Sequence, residues 1–313
     1  MKDDEFTHTP VLLDEVLVGL DIHPEGLYVD ATFGRGGHSL AILERLNSKG
    51  RLLVIDKDPT STRIAERYAR KDKRIGIVHA SFNEIKEHIE ERGQLGEVSG
   101  ILFDLGVSSP QLDNAQRGFS FSRDGELDMR MNPDSGISAA EWVNRAKHGE
   151  IVRVLKEFGE ERFAKRIANK IIESRVERPI TRTGQLAELI VSAVPFREKD
   201  KHPATRSFQA IRIFINNELN ELRQALSQVN ALLKPGGRLV VISFHSLEDR
   251  IVKRYMRDES LGDNFPLDLP VSADQLRPRL TLIGKAIKPR AKEIQINPRA
   301  RSAVLRLAEK IAA

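Results

Sequence analysis

The segment from Gly26 to Ser39 constrains this chain more than any other. A short apolar strand, Leu27–Ala31, carries Asp30 near its end and turns at once through Gly34, Gly36 and Gly37 into a helix. Such a turn brings bare backbone N–H groups up to a bound nucleotide-like ligand at the carboxyl edge of an open sheet. Three more β-rich apolar runs follow, Arg51–Asp56, Ile75–His79 and Gly100–Asp104, with helical or polar segments between them. Strands alternating with helices imply a parallel sheet covered on both faces.

A fifth run, Gly237–Ser243, appears only after a gap of more than a hundred residues, behind the helix stop and turn Lys234–Gly237. The gap is mostly helical. Ser138 and Glu141 have the form of a capping box. Apolar residues from Ile151 to Ile172 recur at helical spacing, and a further helix starts near Thr183. The run from Phe208 to Leu233 reads as one long amphipathic helix leading back to the sheet. Leu280–Ile287 and Arg301–Leu307 supply a terminal strand pair, and Thr9-Pro10 opens a short N-terminal helix. Pattern alone therefore draws a sheet domain over residues 1–111 and 204–313, and an inserted helical domain over 112–203.

The glycines of the first loop begin four residues after Asp30 rather than on the strand. That offset favours S-adenosyl-L-methionine over a dinucleotide. A pyrophosphate at a helix N-terminus wants donors and no nearby anion. A cationic sulfonium bearing an amino group welcomes a carboxylate. Asp56, nineteen residues past Gly37, stands where an acid binds ribose hydroxyls. A nicotinamide-dependent oxidoreductase is the competing reading of Gly34, Gly36 and Asp56, and Asp30 argues against it. Phe82 serves equally as an adenine stack or as a core residue, and His38 as a cofactor contact or a cap. The fold class is then α/β: a Rossmann-like class I methyltransferase sheet with an inserted all-helical domain.

The chemistry is sharpest at Asp104–Gln111, which leaves the fourth strand as Asp104-Leu105-Gly106-Val107-Ser108-Ser109-Pro110-Gln111. Enzymes that methylate exocyclic amines of bases often carry a short polar-Pro-Pro-aromatic motif here. Ser109-Pro110 is similar to its serine-bearing form, without the second proline and the aromatic. The amino nitrogen of cytosine donates its lone pair into the ring and is a poor nucleophile. Acceptors such as Ser108 and Ser109 around its N–H groups would localise that lone pair, and a plain strand-to-loop turn is the alternative. The loop Arg117–Met131 mixes Phe119, Phe121 and Arg123 with glycines, which suits base stacking and phosphate contact. A bland surface loop is the other reading. His245, past the fifth strand, lines a base site, accepts a proton, or is structural. Arg206, beside His202, and the Arg299–Arg301 turn offer basic groups near the same rim.

With 313 residues, 40% hydrophobic and 30% charged, the chain can bury a substantial core. The absence of cysteine excludes thiol catalysis and cysteine-based zinc sites. Nothing with metal-ligand spacing links the eight histidines, so no metal is expected. No apolar run approaches the ~20 residues that cross a bilayer, and the acidic N-terminus lacks a signal-peptide core. Net charge is +5, but the chain from Arg277 onward holds ten Lys or Arg against Glu293 and Glu309. Such asymmetry suits contact with a polyanion, with a solvated basic edge as the alternative.

Together these stretches resemble, along nearly the whole length, the bacterial ribosomal small-subunit RNA methyltransferases that act on the N4 amino group of a cytosine (the RsmH, or MraW, family). The likeness is carried by His8–Glu15, Asp30–His38, Asp104–Asp113, Arg117–Phe121, Gly159–Ala164 and Ser243–Arg250. It implies S-adenosyl-L-methionine as cofactor, 16S rRNA of the assembled small subunit as partner, no membrane, and a cytoplasmic setting. It implies cofactor contacts from Gly36, Gly37, His38, Asp56, Phe82, Asp104 and Gln111, and RNA recognition by the inserted domain. Oligomeric state, a homodimer included, stays open, as does the group that removes the proton. A non-catalytic RNA-binding factor is the remaining competitor.

Overall fold

The computed structural model of the chain describes residues 10–195, 202–263 and 273–312. It divides into two compact units, Met1–Gly106 with Leu219–Ala313, and Val107–Glu218. His8 and Thr9 lie outside the described residues. No helix among those described is long and apolar enough to cross a membrane.

The first unit is a sheet of seven strands, β1 Leu27–Asp30, β2 Arg51–Asp56, β3 Ile75–His79, β4 Val98–Asp104, β5 Leu233–Ser243, β6 Leu280–Leu282 and β7 Val304–Lys310. Their order across the sheet is β3-β2-β1-β4-β5-β7-β6. The first five are parallel, whereas β7 runs antiparallel to β5 and β6 antiparallel to β7. The reason is visible in β2. Leu53 and Ile55 pack with Ile85, Ile89, Leu226 and Val252 on one face, while Leu52 and Val54 pack with Leu20, Ile42 and Ile64 on the other. A strand apolar on both faces must be covered twice, which demands helical crossovers and hence parallel neighbours.

The expected turn at Lys234–Gly237 lies inside β5. Val98 pairs with Leu233 and Gly100 with Arg238, so the Pro-Gly-Gly segment forms a bulge rather than a boundary. β6 stops at Leu282, and the expected strand continues only as a bridge from Ile287 to Leu305.

The second unit is helical. Ala139–Arg145, His148–Gly159, Ala164–Glu177, Thr183–Ala193 and Thr205–Ile215 enclose a core that includes Trp142, Leu155, Ile167, Ile171, Ile190, Phe208 and Ile211. The division by contacts is wider than the 112–203 drawn from pattern. Phe208, Ala210 and Ile211 belong to this core, so Thr205–Ile215 folds with the unit. Two periodic runs are also broken. Glu160, at φ 48°, separates His148–Gly159 from Ala164–Glu177, and Asn217, at φ 52°, separates Thr205–Ile215 from Glu218–Leu232.

The second break has a clear cause. Asn216 donates from Nδ2 to the Met129 carbonyl at 2.7 Å, and its Oδ1 accepts from the Met131 N–H at 2.7 Å. Buried backbone groups of an irregular segment need partners, and Asn216 supplies both. The same segment is folded tightly around Gly118, at φ 71°, where a Cβ would lie 2.3 Å from the Glu126 carbonyl oxygen. Backbone cannot retreat as a flexible side chain does. Gly118→Ala is therefore expected to destabilise the chain by at least ~1–3 kcal/mol in urea unfolding; a change below ~0.5 kcal/mol would contradict this packing.

Candidate active site

The carboxyl ends of the parallel strands gather acids. β1 ends at Asp30, β2 at Asp56 and β4 at Asp104, and Glu248 stands in the first turn of the helix Ser246–Leu261 that follows β5. Each is placed by a local device. Asp30, 1% exposed, accepts from the Ser39 hydroxyl at 2.6 Å and from the Thr32 N–H at 3.1 Å. It fastens the helix Gly37–Leu43 to the strand, and so braces the glycine loop rather than offering an open face to a ligand. Asp56 accepts from the Gly34 N–H at 2.7 Å and from the Asp58 N–H at 2.8 Å. Between them the loop turns at Gly36, φ 81°, where a Cβ would meet the Phe33 ring at 2.6 Å. Gly37 lies against Pro10 in the same way.

His38 is 6% exposed. Its Nε2 lies 3.0 Å from the Val11 carbonyl, an acceptor only, so Nε2 carries the proton. Nδ1 then turns its lone pair toward Asp104 Oδ2, 3.5 Å away. Burial pushes His38 below its ordinary pKa, and it pushes Asp30 and Asp56 upward. Asp104 is raised to about 8, first by burial and then by the charges of Asp30 and Glu248. Its side chain keeps 27% of its surface, so desolvation is incomplete. A neutral His38 facing a protonated Asp104 satisfies both groups.

Glu248 is 2% exposed and caps its helix from within, taking the Phe244 N–H at 2.8 Å and the His245 N–H at 3.3 Å. His245 completes this capping box, its Nδ1 accepting from the Glu248 N–H at 3.4 Å. Its Nε2 sits 3.1 Å from Glu248 Oε1, without hydrogen-bond alignment. The expectation of His245 as proton acceptor does not fit this geometry, because its one lone pair is already turned to the helix N–H. At this rim, among the described residues, Asp104 Oδ1, Ser243 Oγ and His245 Nε2 are buried without a hydrogen-bond partner. Buried polar atoms without partners are rare, and they mark where a ligand would complete the structure. Phe82, half-buried, opens a short 3₁₀ turn beyond β3 and meets Phe103 edge-on at 5.8 Å.

The remaining expected residues belong to the helical unit. Ser108 caps the short helix Ser109–Asp113, its N–H donating to Gln111 Oε1 at 2.8 Å, and Gln111 is buried. Phe119 is 6% exposed within the core, with the Arg117 guanidinium 5.7 Å above its ring. That corrects its reading as an exposed stacking platform: hydrophobic burial won over loop composition. Phe121 is half-buried, stacked on His202 at 4.5 Å and edge-on to Phe208 at 5.1 Å. Arg123 is exposed and donates to the Asp113 carbonyl at 2.9 Å, while Arg206 is half-buried on the helix Thr205–Ile215.

A family model described as the MraW methylase family matches residues 5–311. The chain belongs to the MraW methylase family. It is 55% identical over 304 residues to the ribosomal RNA small subunit methyltransferase H of Coxiella burnetii strain RSA 331 / Henzerling II, covering 97% of this chain and 99% of that one. The protein of the same name from the Dugway 5J108-111 strain matches at the same identity and coverage. Among solved structures, an rRNA methylase from Streptococcus thermophilus aligns with a TM-score of 0.43 and 10% identity, over 98% of this chain and 99% of that one.

As a member of this family the chain is a methyltransferase, and three of its polar groups escaped the sequence reading. Thr32 Oγ1 accepts the Asp104 N–H at 2.6 Å, Ser39 holds Asp30, and Glu248 adds the fourth acid. Only Glu248 had a legible signal, the acid three residues after a helix cap.

The raised Asp104 has a consequence for stability. The folded chain keeps its proton up to about pH 8, whereas the unfolded chain releases it near the ordinary carboxyl value of 3.8. Folding thus takes up a proton across that window, and this group's contribution falls as pH rises through it. Urea unfolding from ~pH 5 to ~pH 8 should show Asp104→Asn gaining on the wild type as pH rises. A stability difference that stays flat across that range would remove the basis for the shift.

Proposed function

We propose that this methyltransferase transfers the methyl of S-adenosyl-L-methionine to the N4 amino group of a cytosine in 16S rRNA of the small ribosomal subunit. The observation that carries the cofactor is the concentration of acids at the strand ends, with Asp104 Oδ1 unpartnered among them. A sulfonium with an ammonium group is a cation that such a site would bind, whereas a pyrophosphate is an anion that it would repel. The substrate rests on the relatives named for ribosomal small-subunit RNA, at 55% identity over 97% of the chain.

The residues fit the cofactor in distinct ways. Asp56 would hold the ribose hydroxyls, Phe82 would cover the adenine, and backbone at Gly36 and Gly37 would lie against the ligand. Asp104 and His38 would hold its amino-acid end, where the resemblance also implies Gln111. Bound there, the cofactor supplies an already activated methyl group. The chain's own task is alignment, which contributes up to ~7–11 kcal/mol in favourable cases. Ser108 and Ser109 would accept from the N4 hydrogens and localise the lone pair. Once methylated, N4 is positively charged and acidic, so its proton needs only a weak acceptor. The helical unit, through Arg123, Arg206 and Phe121, would take part in RNA recognition.

The test is mass spectrometry of nucleosides from small-subunit RNA in cells lacking this protein. N4-methylation should be missing, restored by the wild type, and restored poorly by Asp56→Ala, which by calorimetry binds S-adenosylhomocysteine at least ~10-fold more weakly. An unaltered methylation pattern would overturn the substrate, and an unaltered cofactor affinity the role of Asp56.

A further inference from the structure

The structure sorts the ten cations that follow Pro270. Arg306 pairs with Asp249 at 2.7 and 3.0 Å, and Lys310 donates to the Asn230 and Leu233 carbonyls at 2.6 and 2.8 Å. Arg279 pairs with Glu259 and Asp263. It precedes β6 with Arg277, and Leu280 pairs with Lys310 at the end of the sheet away from the acids. The other six are Lys285, Lys288, Arg290, Lys292, Arg299 and Arg301. All six are exposed, and all lie in the stretch that leads into β7.

Topology places that stretch. β7 is antiparallel to β5 and pairs Val304 with Ser243, so it starts at the rim where the parallel strands end. Ile287 bridges to Leu305, one residue further in, so residues 288–303 lie beyond the strand ends. They are fastened there. Ala300 and Ala303 are buried with Leu12, Phe33 and Ile42, and Glu293 Oε1 accepts the Leu12 N–H at 2.7 Å. The one acid of the stretch is thus turned onto the backbone of the rim. Among the described residues no ion pair engages Lys288, Lys292 or Arg301, while Arg290, 87% exposed, reaches Glu15 only at 4.0 Å.

A polyanion that must bring a base to this rim faces a difficulty, because the carboxylates of Asp30, Asp56 and Glu248 present the same sign of charge, joined by Asp104 once a bound cation ionises it. Cations beside them, outside the acid cluster, resolve it: phosphates are held at the edge while an uncharged base goes inward. We propose that residues 288–303 form the phosphate-docking edge for the RNA strand that carries the target base. This rests on the RNA reading given above.

The test compares the full chain with the Lys288→Ala/Lys292→Ala/Arg301→Ala variant. The probe is purified small ribosomal subunits lacking the modification, with S-adenosylhomocysteine present, at several salt concentrations. Each lost phosphate contact should make the dependence of log affinity on log salt shallower by ~0.7–0.9, about 2–3 in total, with affinity at least ~10-fold lower at ~0.1 M salt. Affinity for S-adenosylhomocysteine should be unchanged. A charge-conserving variant, Lys288→Arg/Lys292→Arg/Arg301→Lys, should keep both affinity and slope. An unchanged slope in the alanine variant overturns the proposal, and so does an equal loss in the charge-conserving one. If the wild type neither binds nor methylates the subunits, the RNA reading itself fails, and that result is distinct from either.

Discussion

Everything at this rim follows from the crowding of carboxylates in a place that water reaches poorly. Asp30, Asp56, Asp104 and Glu248 come from separate stretches of chain, and the sheet's parallel register brings them to one edge. Ionised together without compensation they would be costly, since a buried charge must be paired, hydrogen-bonded or neutralised. The chain uses each remedy. Ser39 and Thr32 serve Asp30, backbone N–H groups serve Asp56 and Glu248, and Asp104 retains its proton. What is left over, an acid with one oxygen unpartnered, is the natural seat for a cation.

The sheet exists to hold that arrangement still. Strands apolar on both faces, as β2 shows with Leu52 to Ile55, leave the carboxyl ends as the places where polar groups can gather. Beside the acids lies a segment of opposite character, where Glu293 turns inward and Lys288, Lys292 and Arg301 turn out. Opposite signs on neighbouring parts of one rim suit the proposed division of labour between a cationic cofactor and a polyanionic substrate.

Much of this was legible in the residues. Arg51–Asp56 and Ile75–His79 read as strands with the bounds they have, because short β-branched runs closed by polar residues have few other uses. The helical runs were legible as periodicity but not as separate elements. Glu160 and Asn217 break them by adopting a left-handed conformation, which leaves the hydrophobic spacing on either side intact. Asn216 explains its break only once the backbone it satisfies, at Met129 and Met131, is seen. Phe119 looked like a stacking residue from its glycine and arginine neighbours, and packing decided otherwise. His245 stood open between lining a base site, accepting a proton and a structural role, and its place at a helix start was the missing fact. Pairings between residues distant in sequence, such as His38 with Asp104, leave no local trace.

The central claim is that a cation stabilises the ionised form of the rim's protonated acid. Calorimetry of S-adenosyl-L-methionine binding at ~pH 6.5, in buffers of different ionisation enthalpy, measures this directly, because a raised carboxyl must release its proton when a positive charge settles beside it. The account expects close to one proton released per ligand bound by the wild type, and close to none by Asp104→Asn. Binding with no proton released by the wild type, or the same release from both proteins, would contradict it.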